Sequence, residues 1–145
     1  MNFFERMKLR AVMMVLASVV ALAGTSAHAQ EQSDAQKKAD KEFNEFVEKE
    51  VSRLEGLLKL EDWQVFYVDS IMRHDLTAMM AEFEDLKKKK VSQTDTFVAA
   101  QDKWQEQMYN AYREVFDDQQ WAKYLKSGAA REKKSRDKRA KAKND

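Results

Sequence analysis

Leu60-Glu61-Asp62-Trp63-Gln64-Val65 and, 56 residues later, Phe116-Asp117-Asp118-Gln119-Gln120-Trp121 follow one pattern: apolar, acidic, two variable residues, Gln, apolar. This is the spacing of a helix N-terminus that carries both a capping box and a hydrophobic staple. In the second stretch Asp117 is the expected N-cap, its carboxylate accepting N–H groups of the first turn, and Gln120 at the third helical position reaches back to the Asp117 N–H. Phe116 and Trp121 take the two staple positions and set the angle of entry. The first stretch repeats the scheme with Glu61, Gln64, Leu60 and Val65, although Glu caps less well than Asp or Thr. Two matching helix starts predict two similar corners in one small helical protein.

Composition points the same way. The chain has no Pro and three Gly, so it lacks the residues that turns between strands require. Val, Ile and Thr are sparse, whereas Ala, Glu, Lys, Gln and Met are plentiful, and the expected fold is all-α with about four helices. The first helix is expected from near Ser33, where Ser33-Asp34-Ala35-Gln36 reads as another capping box, to near Gly56, with Phe43, Val47, Val51, Leu54 and Leu58 as its buried stripe. The second should run from about Asp62 to Lys90 behind Val65, Val68, Met72, Leu76, Met79, Phe83 and Leu86, with Lys87–Lys90 at the negative end of its dipole. Ser92, Thr94 or Asp95 caps the third, which presents Phe97, Gln101, Trp104, Met108, Ala111, Tyr112 and Val115 on one face. The short link between the second and third helices predicts a central antiparallel hairpin. A fourth helix begins at Asp118 with Trp121, Tyr124 and Leu125 facing inward. Beyond Gly128, residues 129–145 form a basic tail without an apolar stripe, either a helical extension or a disordered segment.

Leu58-Lys59-Leu60-Glu61-Asp62-Trp63-Gln64 and Phe116-Asp117-Asp118-Gln119-Gln120 resemble the paired Leu-Thr-x-x-Gln motifs of the Spy/CpxP-like periplasmic proteins. The resemblance covers roughly residues 40–127 in order, spacing and intervening hairpin. It departs from the family at Glu61 and Asp117, where Thr is usual, and at Phe116, where Leu is usual. These changes keep the capping logic at Asp117 and weaken it at Glu61. What the resemblance implies is a small, secreted, all-helical protein. Members of that family act as ATP-independent chaperones, built as antiparallel dimers with a client-holding cradle, or as accessory inhibitors of an envelope-stress sensor kinase.

Residues 1–29 read as a cleaved export signal. Arg6, Lys8 and Arg10 form a basic start, Ala11–Ala23 is an apolar run of 13 residues, and Ala27-His28-Ala29 supplies small residues for signal peptidase. The run is too short for a membrane span, which takes about 20 residues. The mature chain would be Gln30–Asp145, one periplasmic domain over 30–128 followed by the tail. Residues 30–125 carry 14 Lys/Arg against 21 Asp/Glu, and residues 126–145 carry 9 against 3. An acidic body with a basic tail is the one gross asymmetry of charge. The absence of Cys removes a lipid-anchoring site, disulfides and thiol catalysis.

The second helix carries a second apolar stripe: Trp63, Tyr67, Ile71, His74, Ala78 and Ala81, about 140–180° from the first. The third has a weaker counterpart in Val98, Tyr109 and Phe116. Two arrangements accommodate this: a compact bundle that covers both stripes, or a thin curved layer with one apolar face open to a dimer partner or an unfolded client. The family resemblance favours the second. Trp63, Tyr67, Ile71, Met72, Val98 and Tyr109 are the candidate client or partner contacts, Met being an adaptable contact residue. No catalytic constellation, cofactor loop or metal-ligand set is apparent, since His74 is the single His after residue 29. The expected class is a binding protein rather than an enzyme. Its partners would be unfolded or partly folded envelope proteins or one folded envelope protein. Homodimerisation and contact of the tail with an anionic membrane surface are further expectations, and export argues against nucleic acid.

Overall fold

The computed structural model describes residues 26–142, with side-chain surroundings from Asp34 onward. The expected export signal, residues 1–29, lies outside the described residues except for residues 26–29, which form the first turn of a helix. The elements are α1 (Ser26–Leu58), α2 (Asp62–Lys88), α3 (Thr94–Val115), α4 (Asp118–Tyr124), a π-type turn (Leu125–Ala129) and α5 (Ala130–Lys141). No strand occurs among the described residues, and the fold is all-α. The chain divides into two compact units at Glu50/Val51, a boundary that falls within α1.

In α1, Ala39, Val47, Val51, Leu54 and Leu58 are buried at helical spacing, while Phe43 is half-buried. The helix starts seven residues before the expected Ser33 and continues past Gly56, where a Cβ would meet no atom within 4 Å. It ends instead at Lys59, which adopts φ 56° and donates to Glu55 O at 2.8 Å. Lys90 does the same after α2, with φ 53°, and Val91 N–H closes back on Leu86 O at 3.0 Å. A left-handed residue satisfies orphan carbonyls at a helix end, a position usually given to Gly. Here Lys takes it. None of Ser92, Thr94 and Asp95 is the α3 cap; that place falls to Gln93, without a side-chain hydrogen bond.

The second unit is organised around the α2/α3 hairpin. Val68, Met72, Leu76 and Met79 of α2 are buried, as are Ala100 and Tyr112 of α3. Polar and aromatic contacts fix an antiparallel register. The Trp104 indole donates to Glu82 Oε2 at 2.6 Å, Gln107 Nε2 donates to Asp75 Oδ1 at 2.7 Å, and Phe83 meets Phe97 edge-on at 5.6 Å. The Lys103 ammonium beside Glu82 holds that carboxyl below its ordinary value. At the far end, Tyr112, Phe116 and Tyr124 pack ring to ring at 5.4–5.8 Å. Burial pushes the Tyr124 phenol up to about 12 despite the opposing charges of Arg136 and Arg53.

Candidate functional site

The two repeated corners meet. At the second, Asp117 is extended (φ −67°, ψ 172°), its Oδ1 accepts the Gln120 N–H at 2.8 Å, and Gln120 Oε1 accepts the Asp117 N–H at 3.0 Å. At the first, Gln64 Oε1 accepts the Glu61 N–H at 3.0 Å. The Glu61 carboxylate faces the first turn in the same box arrangement but makes no full side-chain cap bond, and its Oε2 takes the Trp63 indole N–H at 2.7 Å. Leu60 and Phe116, the residues preceding the caps, are both buried.

What local capping does not foretell is the contact between the two glutamines. Gln64 Nε2 donates to Gln120 Oε1 at 2.7 Å, and Gln120 Nε2 donates to Gln64 Oε1 at 2.9 Å. The second proton of each amide goes to the carbonyl before the opposite corner: Gln64 to Val115 O at 2.9 Å, Gln120 to Lys59 O at 3.5 Å. Gln64 and Gln120, Glu61 and Asp117, and Lys59 and Val115 are each 56 positions apart, so the clasp has approximate two-fold symmetry. A primary amide offers two donors and two acceptor lone pairs. Both buried amides use all of them, and a buried polar network is stabilising only when it is complete in this way. Glu, equally able to close a capping box, has no donors for the cross-links when ionised.

The clasp fixes the corner from which α2 emerges, and there three large rings stand in water. Trp63 is 51 % exposed, Phe66 68 % and Tyr67 52 %, and Leu57 just before the corner is 40 % exposed. Tyr67 meets Trp63 edge-on at 6.2 Å and Phe66 edge-on at 5.8 Å. Farther along the same stripe Ile71 and Ala78 are half-buried and His74 is exposed, with Nδ1 2.8 Å from Asp75 Oδ1. An open groove of about 480 Å³ lined by Arg73, His74, Thr77, Ala78 and Ala81 continues it.

The six candidate contacts therefore separate. Trp63 and Tyr67 share the exposed corner and Ile71 flanks it. Met72 faces the opposite side of α2 and is buried at 5 % exposure, so it belongs with the core stripe and offers no contact surface. The counterpart stripe of α3 is not open either. Phe116 is core, and Tyr109 lies against Trp121 at 4.8 Å beneath the Arg136 guanidinium, 5.5 Å from its ring centre. Val98 is half-buried near the other end of the hairpin. The sequence reading missed Phe66, the most exposed of the rings. Its signal was available in an unbroken run of large apolar residues, Val65-Phe66-Tyr67-Val68, too wide for one buried stripe.

Among the described residues no group of three or more His, Cys, Asp or Glu is placed to hold a metal ion, and no helix is long and apolar enough to cross a membrane. No protein-family model matches the chain, and neither a curated protein nor a solved structure shows significant similarity to it.

Proposed function

We propose that this protein is a periplasmic, ATP-independent chaperone-like protein of the Spy/CpxP-like kind, which holds partly unfolded clients on the aromatic corner of α2. The observation that carries the reading is the joint exposure of Trp63, Phe66 and Tyr67 on a helix whose opposite face is buried. Contiguous apolar surface left in water marks contact sites. Tyr and Trp give large contact area at little cost in conformational freedom, and their polar ends tolerate water when the site is empty. Such a surface suits loose, repeated capture, with charges of the body and tail speeding encounter. The role requires no cofactor, metal or catalytic step, and nucleic acid is not a partner in it. Homodimerisation that leaves this corner open is part of the proposal. So is contact of an anionic membrane surface with the outward Lys134, Lys138 and Lys141 of α5.

The test is suppression of aggregation of a chemically denatured client at a several-fold molar excess of this protein, without nucleotide. Suppression that disappears in Trp63→Ala/Tyr67→Ala, with helicity retained, supports the reading; no suppression by the unaltered protein removes it. A regulatory role directed at one folded envelope protein would instead show as a single dominant species captured from envelope extract, lost in the same double variant.

A further inference from the structure

Helix α5 docks without the means that helices ordinarily use. Its sequence, Ala130-Arg131-Glu132-Lys133-Lys134-Ser135-Arg136-Asp137-Lys138-Arg139-Ala140-Lys141, contains no apolar residue larger than Ala. Even so, it runs antiparallel along α3, held by charge. Arg139 grips Asp102 with two bonds, Nε to Oδ2 and Nη2 to Oδ1, both 2.7 Å. Arg136 Nε reaches Glu106 Oε2 at 3.1 Å, and Lys133 Nζ reaches Glu106 Oε1 at 3.2 Å. The cations recur every three residues, the carboxylates stand one turn apart, and the two rows match. Between them the buried Arg136 guanidinium covers the Tyr109 ring, which is backed by Trp121.

The match is specific in chemistry and modest in strength. A planar guanidinium suits both the carboxylate fork and the ring face beneath it. The Lys133–Glu106 pair stays partly in water and contributes little. Arg136 Nη2 is buried without a hydrogen-bond partner, a cost that weakens the docking further. The chain turns back at Gly128, which adopts φ 120°, a conformation that side-chain-bearing residues rarely take, at the bend between α4 and α5.

We infer that the face formed by Asp102, Glu106, Tyr109 and Trp121 is a receptor for cationic helices with basic residues at three-residue intervals, and that α5 occupies it in cis. The trans occupant is a basic helical segment of another protein. An anionic segment would meet the two carboxylates, and a purely apolar one would leave them buried and unpaired. As a tethered competitor, α5 acts at an effective concentration near the millimolar range for a short linker, so free segments bind weakly until it is displaced.

The probe is a fluorescein-labelled synthetic peptide with the sequence of residues 129–142, titrated into the full chain at low salt. Arg136→Gln/Arg139→Gln removes the cis competitor and leaves the face intact; it should bind the peptide at least tenfold more tightly than the unaltered protein. Asp102→Asn/Glu106→Gln should show no such gain, and a peptide with Gln at its positions 133, 136 and 139 should not bind. Equal affinity in all three proteins, or undiminished binding of the Gln peptide, overturns the inference. Should Arg136→Gln/Arg139→Gln not fold, the unaltered protein decides by hydrogen exchange. Excess unlabelled peptide should speed exchange in residues 130–141 while α3 stays protected, and unchanged exchange there overturns the inference. Trp63→Ala/Tyr67→Ala should leave peptide affinity unchanged, which separates this face from the aromatic corner of α2; loss of affinity in that variant assigns the peptide to the corner and refutes the receptor.

Discussion

Replacing Gln120 by Ala tests the clasp at the point where the two repeats touch. The substitution removes three hydrogen bonds of 2.7–3.0 Å, those with Asp117 N and the two shared with Gln64, and the longer contact to Lys59 O. At about 1 kcal/mol net for each firm bond, the loss is about 3 kcal/mol, with more added because Gln64 keeps buried donor and acceptor positions that nothing then fills. Gln64→Ala removes four bonds, with Glu61 N, Val115 O and the same shared pair, for about 4 kcal/mol. The double variant loses the shared pair once, not twice. Its cost should therefore fall short of the sum by about 2 kcal/mol, a coupling typical of residues in one network. Urea unfolding followed by far-UV circular dichroism measures all four proteins. Single-variant losses below about 1 kcal/mol, or a double variant additive to within about 0.5 kcal/mol, would refute the clasp as a cooperative unit.

Gln120→Glu should be more destabilising at pH 7 than at pH 4. Burial opposite the Gln64 oxygen raises the folded pKa of the new carboxyl above its unfolded value of about 4.3, so stability is retained below that value and lost as pH rises through the folded pKa, as urea midpoints would register. Gly56→Ala should raise stability by about 0.5–1 kcal/mol, because the position is helical, exposed and unobstructed; a fall in urea midpoint would contradict the open site. Glu82→Gln should flatten the acid limb of the stability profile. Lys103 foremost lowers the Glu82 pKa, so its contribution is complete above the ordinary 4.5 and is lost as pH falls through the lower folded value.

The corners were legible because a capping box is a local device, written in four consecutive residues and independent of the rest of the chain. The hairpin was legible for a similar reason, through helical periodicity on either side of a short link. The contact between Gln64 and Gln120 was not, since it joins residues 56 positions apart and uses amide donors that local capping leaves idle. Helix ends were misplaced where the usual signal was absent: Gly56 looked like a stop but lies inside α1, while Lys59 and Lys90 take left-handed turns that glycine normally marks. The docking of α5 does not show in apolar stripes because its pattern is one of charge, read only when Lys133, Arg136 and Arg139 are set against Asp102 and Glu106. Met72 and Tyr109 show the converse error. Met72 was named for its residue type although its helical position lies in the buried stripe, and Tyr109 for its place on the α3 counterpart stripe, which α5 covers.

The segment that a bound client protects is the most direct test of the proposed holding surface. With a labelled unfolded client in excess, hydrogen–deuterium exchange should slow across residues 57–71, around Leu57, Trp63, Phe66 and Tyr67, and remain unchanged in the buried core of the hairpin. Exchange unaltered over that segment, with protection appearing elsewhere in the chain, would contradict the assignment of the aromatic corner as the holding surface.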